Sequence, residues 1–381
     1  MSTKTTLRDS AAMRWLVLLL LSFAMFCSYI FMDILSPIKD LLETTRGWDS
    51  VAFGTYSGAE PFLNVFIFFL IIAGIILDRM GVRFTAVLSG VVMLVGAVIN
   101  WYAVTEAFMG SSLEAWFNNN LNYIPIFDEL GVSPFYKGMP ASAKFAAIGF
   151  MIFGSGVEMA GITVSRGIVK WFRGREMALA MGAEMALARL GVTTCMIFSP
   201  VFAHMGPKPD VSRSVAFGVV LLMIALMMFI VYFFIDRKLD AQTGEAEEKD
   251  DPFRIRDLGK ILTSSGFWLV ALLCVLYYSA IFPFQKYAVN MLQCNLTFEE
   301  VAKGSIWGSS WITVVQYVLS LVVAATAFMS NFKEGKIRIA LLISAVVFLV
   351  AFCFFAYKRQ SAESIFAVFP LLAVGITPII G

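Results

Sequence analysis

Long apolar runs separated by short charged segments repeat along the whole chain of 381 residues. A helix needs about 20 mostly apolar residues to cross a lipid bilayer, and each run reaches that length or nearly so. The runs are Arg14–Pro37, Val51–Leu77, Thr85–Ala107, Lys144–Arg166, Met177–Val201, Ser214–Ile235, Phe267–Met291, Ser305–Met329, Ile337–Tyr357 and Ile365–Gly381. The pattern therefore predicts an all-α, multi-pass protein of about ten transmembrane helices embedded in the lipid bilayer.

The composition agrees with a chain that lies mostly in lipid. Hydrophobic residues make up 59% of it and charged residues 15%, whereas a soluble domain carries about 25% charged residues. The net charge of +2 is too small to indicate a nucleic-acid partner. The five cysteines show no metal-ligand or disulfide spacing, and a single histidine, His204, excludes a histidine-cluster metal site. We therefore expect no metal and no other cofactor.

A long charged segment divides the apolar runs into six before it and four after it. This division predicts four parts of the chain. They are a polar cytoplasmic tail at 1–13, an N-terminal six-helix bundle at 14–235, a cytoplasmic linker at 236–262 and an incomplete second bundle, helices 7–10, at 263–381. Lysine and arginine are concentrated in the tail and in the loops that follow the second, fourth and eighth runs. Because basic loops stay in the cytoplasm, the amino terminus is predicted to be cytoplasmic.

Two opposite charges interrupt the fourth and fifth runs at similar depth. Counted from the basic link Gly167–Glu176, Glu158 lies ~13 Å along one helix and Arg189 ~18 Å along the next. Ionisable groups in the middle of a bilayer are costly and usually face a cavity or one another. An acid and a base placed in this way suit a ligand that carries both charges, a zwitterion. The alternative interpretation is a structural ion pair that ties the two helices together.

Other charged positions leave two interpretations open. Glu60 lies ~13 Å below the outer end of helix 2, where it either lines the cavity or binds a proton, or else faces water at a kink made by Pro61. Lys286 either attracts a carboxylate or, as we expect, extends its side chain to the outer interface. Glu184 is expected to pair with Arg173 or Arg175 in the basic link. These positions sharpen the question of which charges face a cavity.

The loop between the second and third runs carries a spaced set of glycines and charges. It reads Gly74-Ile-Ile-Leu-Asp78-Arg79-Met-Gly81-Val-Arg83, in which Gly81 permits a tight turn and the two arginines hold the loop in the cytoplasm. This resembles the helix 2–3 signature of the major facilitator superfamily. The resemblance implies a two-bundle fold and a gating role, in which Asp78 pairs across the two halves when the inner mouth is closed.

Three further stretches resemble the lysosomal dipeptide transporters of that superfamily and their bacterial relatives. They are Ser28–Asp33 in helix 1, Phe153–Gly191 across helices 4 and 5, and Phe267–Phe284 in helix 7. The resemblance implies that Glu158 holds the substrate's ammonium group and Arg189 its carboxylate.

The same resemblance favours a cavity role for Tyr29 and Asp33 in the outer third of helix 1. In helix 7, four aromatic residues are candidates for the pocket wall of the second half: Tyr277, Tyr278, Phe282 and Phe284. On position alone, Tyr29 and Asp33 fit equally well as interfacial residues at a helix end, and some of the helix 7 aromatics must pack against neighbouring helices.

The resemblance also sets an expectation about completeness and location. The superfamily has twelve spans, so helices 11–12 are expected to be missing, either because the sequence is a piece of a longer chain or because the natural product is shortened. We identify no lysosomal sorting signal, so a bacterial inner membrane is the expected location and the lysosomal membrane the alternative.

These features predict a secondary-active or facilitative transporter, a uniporter of small zwitterions such as dipeptides that works by alternating access. One rival is a proton-coupled carrier of organic anions or drugs, with Glu60 or Glu158 as the proton site. Another is a shortened membrane protein that does not transport. We do not expect an enzyme, because the sequence contains neither a nucleotide-binding loop nor a catalytic motif.

Overall fold

The computed structural model describes residues 6–243 and, after them, residues 259, 262–272, 275–276, 278–279 and 286–287. These residues form helices and turns, without a strand among them. The α-helices are α1 (Ala11–Met32), α2 (Lys39–Arg46), α3 (Ser50–Ala59), α4 (Phe62–Phe66), α5 (Phe69–Ala103), α6 (Ser112–Asn120), α7 (Pro125–Glu129), α8 (Ala141–Phe172), α9 (Met177–Ala203) and α10 (Val211–Thr243). Short 3₁₀ helices lie at Leu7–Asp9 and Ser36–Ile38.

Within the described part of the chain, five helices are long and apolar enough to cross a membrane. They are the continuous stretch that begins with α1, and helices α5, α8, α9 and α10. The all-α membrane fold predicted from the apolar runs is therefore confirmed. The predicted helices 8 to 10 lie outside the described residues, and only parts of predicted helix 7 lie within them.

The predicted second helix, Val51–Leu77, is wrong as a single helix. Helix α3 ends before Glu60 because Pro61, lacking an N–H group and crowding the preceding turn, interrupts the helical hydrogen bonds. A second break follows α4, where Phe68 has a φ of 55°, a left-handed conformation that is rare for a bulky residue. The stretch Phe69–Ala103, which we label α5, consists of two helices that meet at Gly81, whose φ of 80° and ψ of 166° are not helical and make the turn predicted there. Three pieces therefore replace the expected single span.

The bundle is held together by close contacts between helix backbones. Helix α1 packs against α8, α9 and α10, and α5 packs against α8 and α10. A Cβ atom on Gly149 would lie 2.7 Å from the carbonyl oxygen of Gly96, and one on Gly156 would lie 2.7 Å from the backbone nitrogen of Met93. Small residues allow such close approach in membranes, where packing rather than hydrophobic burial drives helix association.

The bundle has an outer end and an inner end. We call the end at which α1 ends and α8 begins the outer end, and the end at which α8 passes into α9 the inner end. Helix α8 continues to Phe172, so the link to α9 is shorter than the predicted Gly167–Glu176. Helix α10 also runs past the predicted start of the linker, to Thr243.

Candidate functional site

Three helices bring the predicted substrate residues of the first bundle together. Glu158 lies on α8, ~21 Å from the inner end of that helix, and Arg189 lies on α9, ~18 Å from its inner end. Tyr29 on α1 faces both, because its ring lies within electrostatic range of Arg189, Glu184 and Glu158. The two opposite charges therefore lie at similar depth on packed helices, with Tyr29 in electrostatic range of both.

Glu158 stands on the one face of the inner half of α8 that is not buried. The residues that share this face, Gly161, Ile162, Ser165 and Arg166, are all partly exposed, whereas the residues between them are mostly buried. Glu158 itself is exposed, yet enough protein surrounds its carboxyl group to desolvate it. This combination is expected for a carboxylate on the wall of a recess, where it can meet a ligand.

Arg189 is partly buried and is held by an aromatic ring rather than by an acid. Its guanidinium carbon lies 5.6 Å from the centre of the Tyr29 ring, a cation–π distance. Its Nε atom is buried without a hydrogen-bond partner. Among the described residues, no ion pair joins Arg189 to Glu158. The structure therefore does not contain the structural ion pair between Glu158 and Arg189 that was the alternative interpretation.

Glu184 occupies a different environment from the one predicted. It is buried one turn and a half from Arg189, in electrostatic range of Tyr29. The expected partner Arg175 instead donates to Asp9 Oδ1 at 2.9 Å, because the helical amino-terminal segment lies against the turn between α8 and α9. Glu184 therefore adds a buried acid near Tyr29.

Glu60 lies against α8 rather than facing water. A Cβ atom on Gly154 would lie 2.8 Å from Glu60 Oε1, so the glycine makes room for the acid. That oxygen is buried without a hydrogen-bond partner, and the carboxyl group lies in electrostatic range of Glu158, Asp33 and Lys286. The kink expected at Pro61 is present, but it places Glu60 inside the same charged group as Glu158.

Lys286 does not extend to the interface as we expected. Its Nζ atom lies 2.6 Å from Asp33 Oδ1 and donates to the carbonyl oxygen of Met32 at 2.7 Å. Asp33 is buried, so this carboxylate is an ion-pair partner for the ammonium group inside the protein. Tyr278 is exposed and lies in electrostatic range of Tyr29.

Three predicted pocket residues, Tyr277, Phe282 and Phe284, lie outside the described residues.

The predicted gating residues lie near a dense group of charges at the inner end. Asp78 pairs with Arg166 of α8, a partner within the same bundle rather than across the two halves. Arg83 reaches Asp240 at 3.1 Å and Asp236 at 3.8 Å. Of the remaining signature residues, Arg79 is exposed and Gly74 has open space around it.

Sequence reasoning missed the centre of this group, which is Asp236. Its side chain is fully buried, accepts from Lys170 Nζ at 2.7 Å and from Trp171 Nε1 at 2.8 Å, and had been assigned to a solvated linker. Asp236 and Asp240 are spaced one turn apart on α10, and the bases that meet them sit on α5 and α8. That one-turn spacing was the available signal.

A bundle of membrane-crossing helices with ionisable side chains facing a recess near mid-depth is the architecture of a secondary transporter. The sequence profile of the Major Facilitator Superfamily matches residues 21–380. The chain therefore belongs to the major facilitator superfamily.

Named relatives agree with this assignment at low identity. The lysosomal dipeptide transporter MFSD1 of Bos taurus is 26% identical over 224 residues, 55% of this chain and 45% of the relative. MFSD1 of Danio rerio is 24% identical over 282 residues, 71% of this chain and 52% of the relative. The chain thus spans about half the length of the curated relatives it matches.

A solved structure shows the same fold. The xylose transporter XylE from E. coli, in a partially occluded inward-open conformation, superposes with a TM-score of 0.62 at 13% identity. The superposition covers 96% of this chain and 86% of XylE. At this identity the likeness concerns the fold alone.

Proposed function

We propose that the protein transports dipeptides or similar small zwitterions. The observation that carries this proposal is the placement of Glu158 and Arg189 at similar depth on packed helices, each without an ion-pair partner among the described residues. Glu158 would receive the substrate's ammonium group and Arg189 its carboxylate. The curated relatives, which are lysosomal dipeptide transporters, support the same substrate class.

The chemistry of the two ends supports these roles. A guanidinium group binds a carboxylate through two parallel N–H donors, and the unpartnered Nε of Arg189 leaves one such donor available. A cation–π contact with Tyr29 holds the guanidinium plane without neutralising its charge. In the predicted two-bundle fold the site lies between the bundles, and rocking of one bundle against the other would expose it to each side in turn.

Ligand-dependent thermal stabilisation of the purified protein tests the substrate class. We expect dipeptides to raise the melting temperature and sugars to leave it unchanged. Glu158→Gln and Arg189→Gln should each nearly abolish the dipeptide effect without changing expression. Arg237→Gln, on an exposed position of α10, serves as the control and should respond like the unaltered protein. Stabilisation by sugars alone would contradict the zwitterion assignment.

A second candidate, proton-coupled transport, is favoured by one observation. Glu60 places a buried, unpartnered oxygen near two further acids, Glu158 and Asp33, and an acid without a partner is available to a coupling proton. Uptake into proteoliposomes with and without a pH gradient separates the two mechanisms. A uniporter would show no dependence on the gradient, whereas a coupled carrier would lose its dependence in Glu60→Gln.

We also infer that the inner end faces the cytoplasm of a bacterial cell, with the lysosomal membrane as the alternative location. The basic residues of the inner end, including Arg79 and Arg83, support this orientation. Reporter fusions to the amino terminus would test it, since a cytoplasmic reporter and a periplasmic reporter are active on opposite sides. Activity of the periplasmic reporter alone would reverse the assignment.

A further inference from the structure

Residues 104–140, which join α5 to α8 at the outer end, form a segment that we call the outer extension. We propose that the outer extension is a membrane-surface element, which lies on the outer leaflet and places an apolar face among zwitterionic lipids. This interaction surface is separate from the substrate site, and the proposal depends neither on transport nor on the identity of the substrate.

The outer extension is folded onto the bundle rather than loose. Lys144, in the first turn of α8, is only 1% exposed, and its Nζ atom donates to the carbonyl oxygen of Phe117 and to Asn122 Oδ1, each at 3.1 Å. The rings of Phe108 and Phe117 pack against the Phe145 ring of α8 at centroid distances of 5.4 and 5.1 Å. These contacts fix which side chains of the outer extension face outward.

Helix α6 forms the first part of the apolar face. At 100° per residue, Leu113, Trp116 and Phe117 fall within one arc of about 100° around the helix. The one polar residue of α6 within that arc, Asn120, is its last residue and donates to the carbonyl oxygen of Trp116 at 2.9 Å. The rest of the circumference carries small or polar residues, which are Ser112, Glu114, Ala115, Asn118 and Asn119.

Only one edge of this arc is covered by the bundle. Phe117 is buried, whereas Leu113 and Trp116 are 43% and 51% exposed. The apolar side of α6 therefore extends beyond the helices on which it packs. A helix with one apolar and one polar side, lying across the end of a membrane bundle, is suited to the plane of the lipid headgroups.

Helix α7 forms the second part of the apolar face. Ile126 and Leu130 are 71% and 67% exposed. Between them, the Phe127 ring packs against Phe62 and Phe66 of α4 at centroid distances of 4.9 and 5.3 Å. Helix α4 leads directly into α5, a membrane-crossing stretch, and residues at its end are also apolar and exposed, namely Val65, Phe66, Ile67 and Phe68. The contact between Phe66 and Phe127 thus joins the exposed apolar surface of a membrane helix to the outer extension.

The residue types of this face indicate lipid as its partner. Exposed apolar surface in an ordered segment marks a contact with another molecule or with a membrane. Trp116 and Tyr123, both more than half exposed, are of the two residue types that are enriched at membrane–water interfaces. Continuity with the surface of α4 favours the bilayer over a separate protein.

The charges of the outer extension indicate the class of lipid. Its exposed charged side chains are three acids and one base, namely Glu106, Asp128, Glu129 and Lys137. Basic clusters are what attracts anionic lipids to a protein surface, and the outer extension carries none. Its acids instead suit the ammonium groups of zwitterionic headgroups, such as those of phosphatidylethanolamine.

The experiment measures how often a nitroxide spin label collides with oxygen, which concentrates in lipid, and with a water-soluble nickel chelate. Single labels are attached at Leu113→Cys and Ile126→Cys in the full chain, with its five cysteines replaced by alanine. The protein is reconstituted without substrate into vesicles of phosphatidylethanolamine and phosphatidylcholine. We expect both labels to collide severalfold more often with oxygen than with nickel. Leu130→Cys replaces Ile126→Cys if that variant does not fold.

A matched control lies on the opposite side of the same helix. Asn119→Cys is also at an exposed position of α6 and should collide more often with nickel than with oxygen. Nickel collision rates at Leu113 and Ile126 equal to the rate at Asn119 would overturn the proposal, because they would show a solvated segment. Shielding of both labels from both reagents would also overturn it, since a second copy or another protein would then cover the face.

The class of lipid is tested with the same labels. Replacing part of the zwitterionic lipid by phosphatidylglycerol should leave both ratios of oxygen to nickel collisions unchanged. A severalfold rise in those ratios in the anionic vesicles would contradict the preference for zwitterionic lipids. Because no substrate is present, these outcomes are independent of the substrate-binding test.

Discussion

Charged side chains are paired with one another at the inner end of the bundle, whereas Glu158 and Arg189 in the middle are not. At the inner end, Asp236 is fully buried and accepts from Lys170 and Trp171, while Arg83 reaches the same helix. In the middle, Glu158 and Arg189 share no ion pair within the described residues and meet only through Tyr29. Charges that are mutually satisfied hold a structure, whereas charges left without partners are available to a ligand.

The largest effect that would test this difference is loss of the acid at the inner end. Asp236→Ala removes the acceptor for a buried indole N–H and a lysine, so we expect a loss of about 3–5 kcal/mol of stability and poor recovery of folded protein. Thermal unfolding of the detergent-solubilised protein measures it. Arg237→Ala, at the next and exposed position of α10, is the control. A melting temperature equal to that of the control would show that the inner charges do not hold the bundle.

A smaller effect is expected from a conservative change in the middle. Arg189→Lys keeps the positive charge but loses the planar fork of donors that matches a carboxylate. We expect dipeptide binding to weaken about tenfold, or about 1.4 kcal/mol, with the melting temperature of the ligand-free protein unchanged. Titration calorimetry measures the affinity.

Two results give that measurement its meaning. Arg237→Lys, far from the recess, should bind dipeptide as the parent does. If Arg189→Lys lowers the stability of the free protein but not the affinity, then Arg189 belongs with the structural charges of the inner end. Equal losses in both variants would point to a change in the detergent-solubilised state rather than in the site.

The fold could be predicted from the sequence because apolar runs of membrane-spanning length are a strong and local signal. The break of the second run was harder to foresee. Pro61 indicated a kink in the sequence. The left-handed conformation of Phe68 depends on packing, and no local sequence pattern predicts it. Similarly, α10 continues past Asp236 because partners on α5 and α8 bury that acid. Both features, the break at Phe68 and the continuation of α10, depend on tertiary contacts between residues distant in sequence.

The candidate site shows the same division. Counting residues along a helix put Arg189 ~18 Å from the inner end, as the structure does, but put Glu158 at ~13 Å instead of ~21 Å, because α8 continues past the predicted start of the link. The ion pair of Lys286 with Asp33 joins residues separated by a predicted linker, and periodicity carries no information about such contacts. Solvent-facing and neighbour-facing orientations were therefore equally compatible with the sequence, and the structure distinguished them.

The smallest effect on stability is expected at Asp78, the acid of the helix 2–3 signature. Asp78 and Arg166 pair at the inner end but remain 36% and 28% exposed, so Asp78→Asn should change stability by less than about 1 kcal/mol. If the gating role implied by the resemblance holds, uptake into proteoliposomes should nevertheless fall strongly. A contact that contributes little to stability still shifts the balance between two conformations when it forms in only one of them. Glu176→Gln, which lies at the same end 3.9 Å from Arg14, is the matched control and should retain uptake. Unaltered uptake in Asp78→Asn would place this acid with the charges that only stabilise the fold. Lost uptake at unaltered stability would show that its charge controls the conformational equilibrium, a role distinct from stabilising the fold and from binding a ligand.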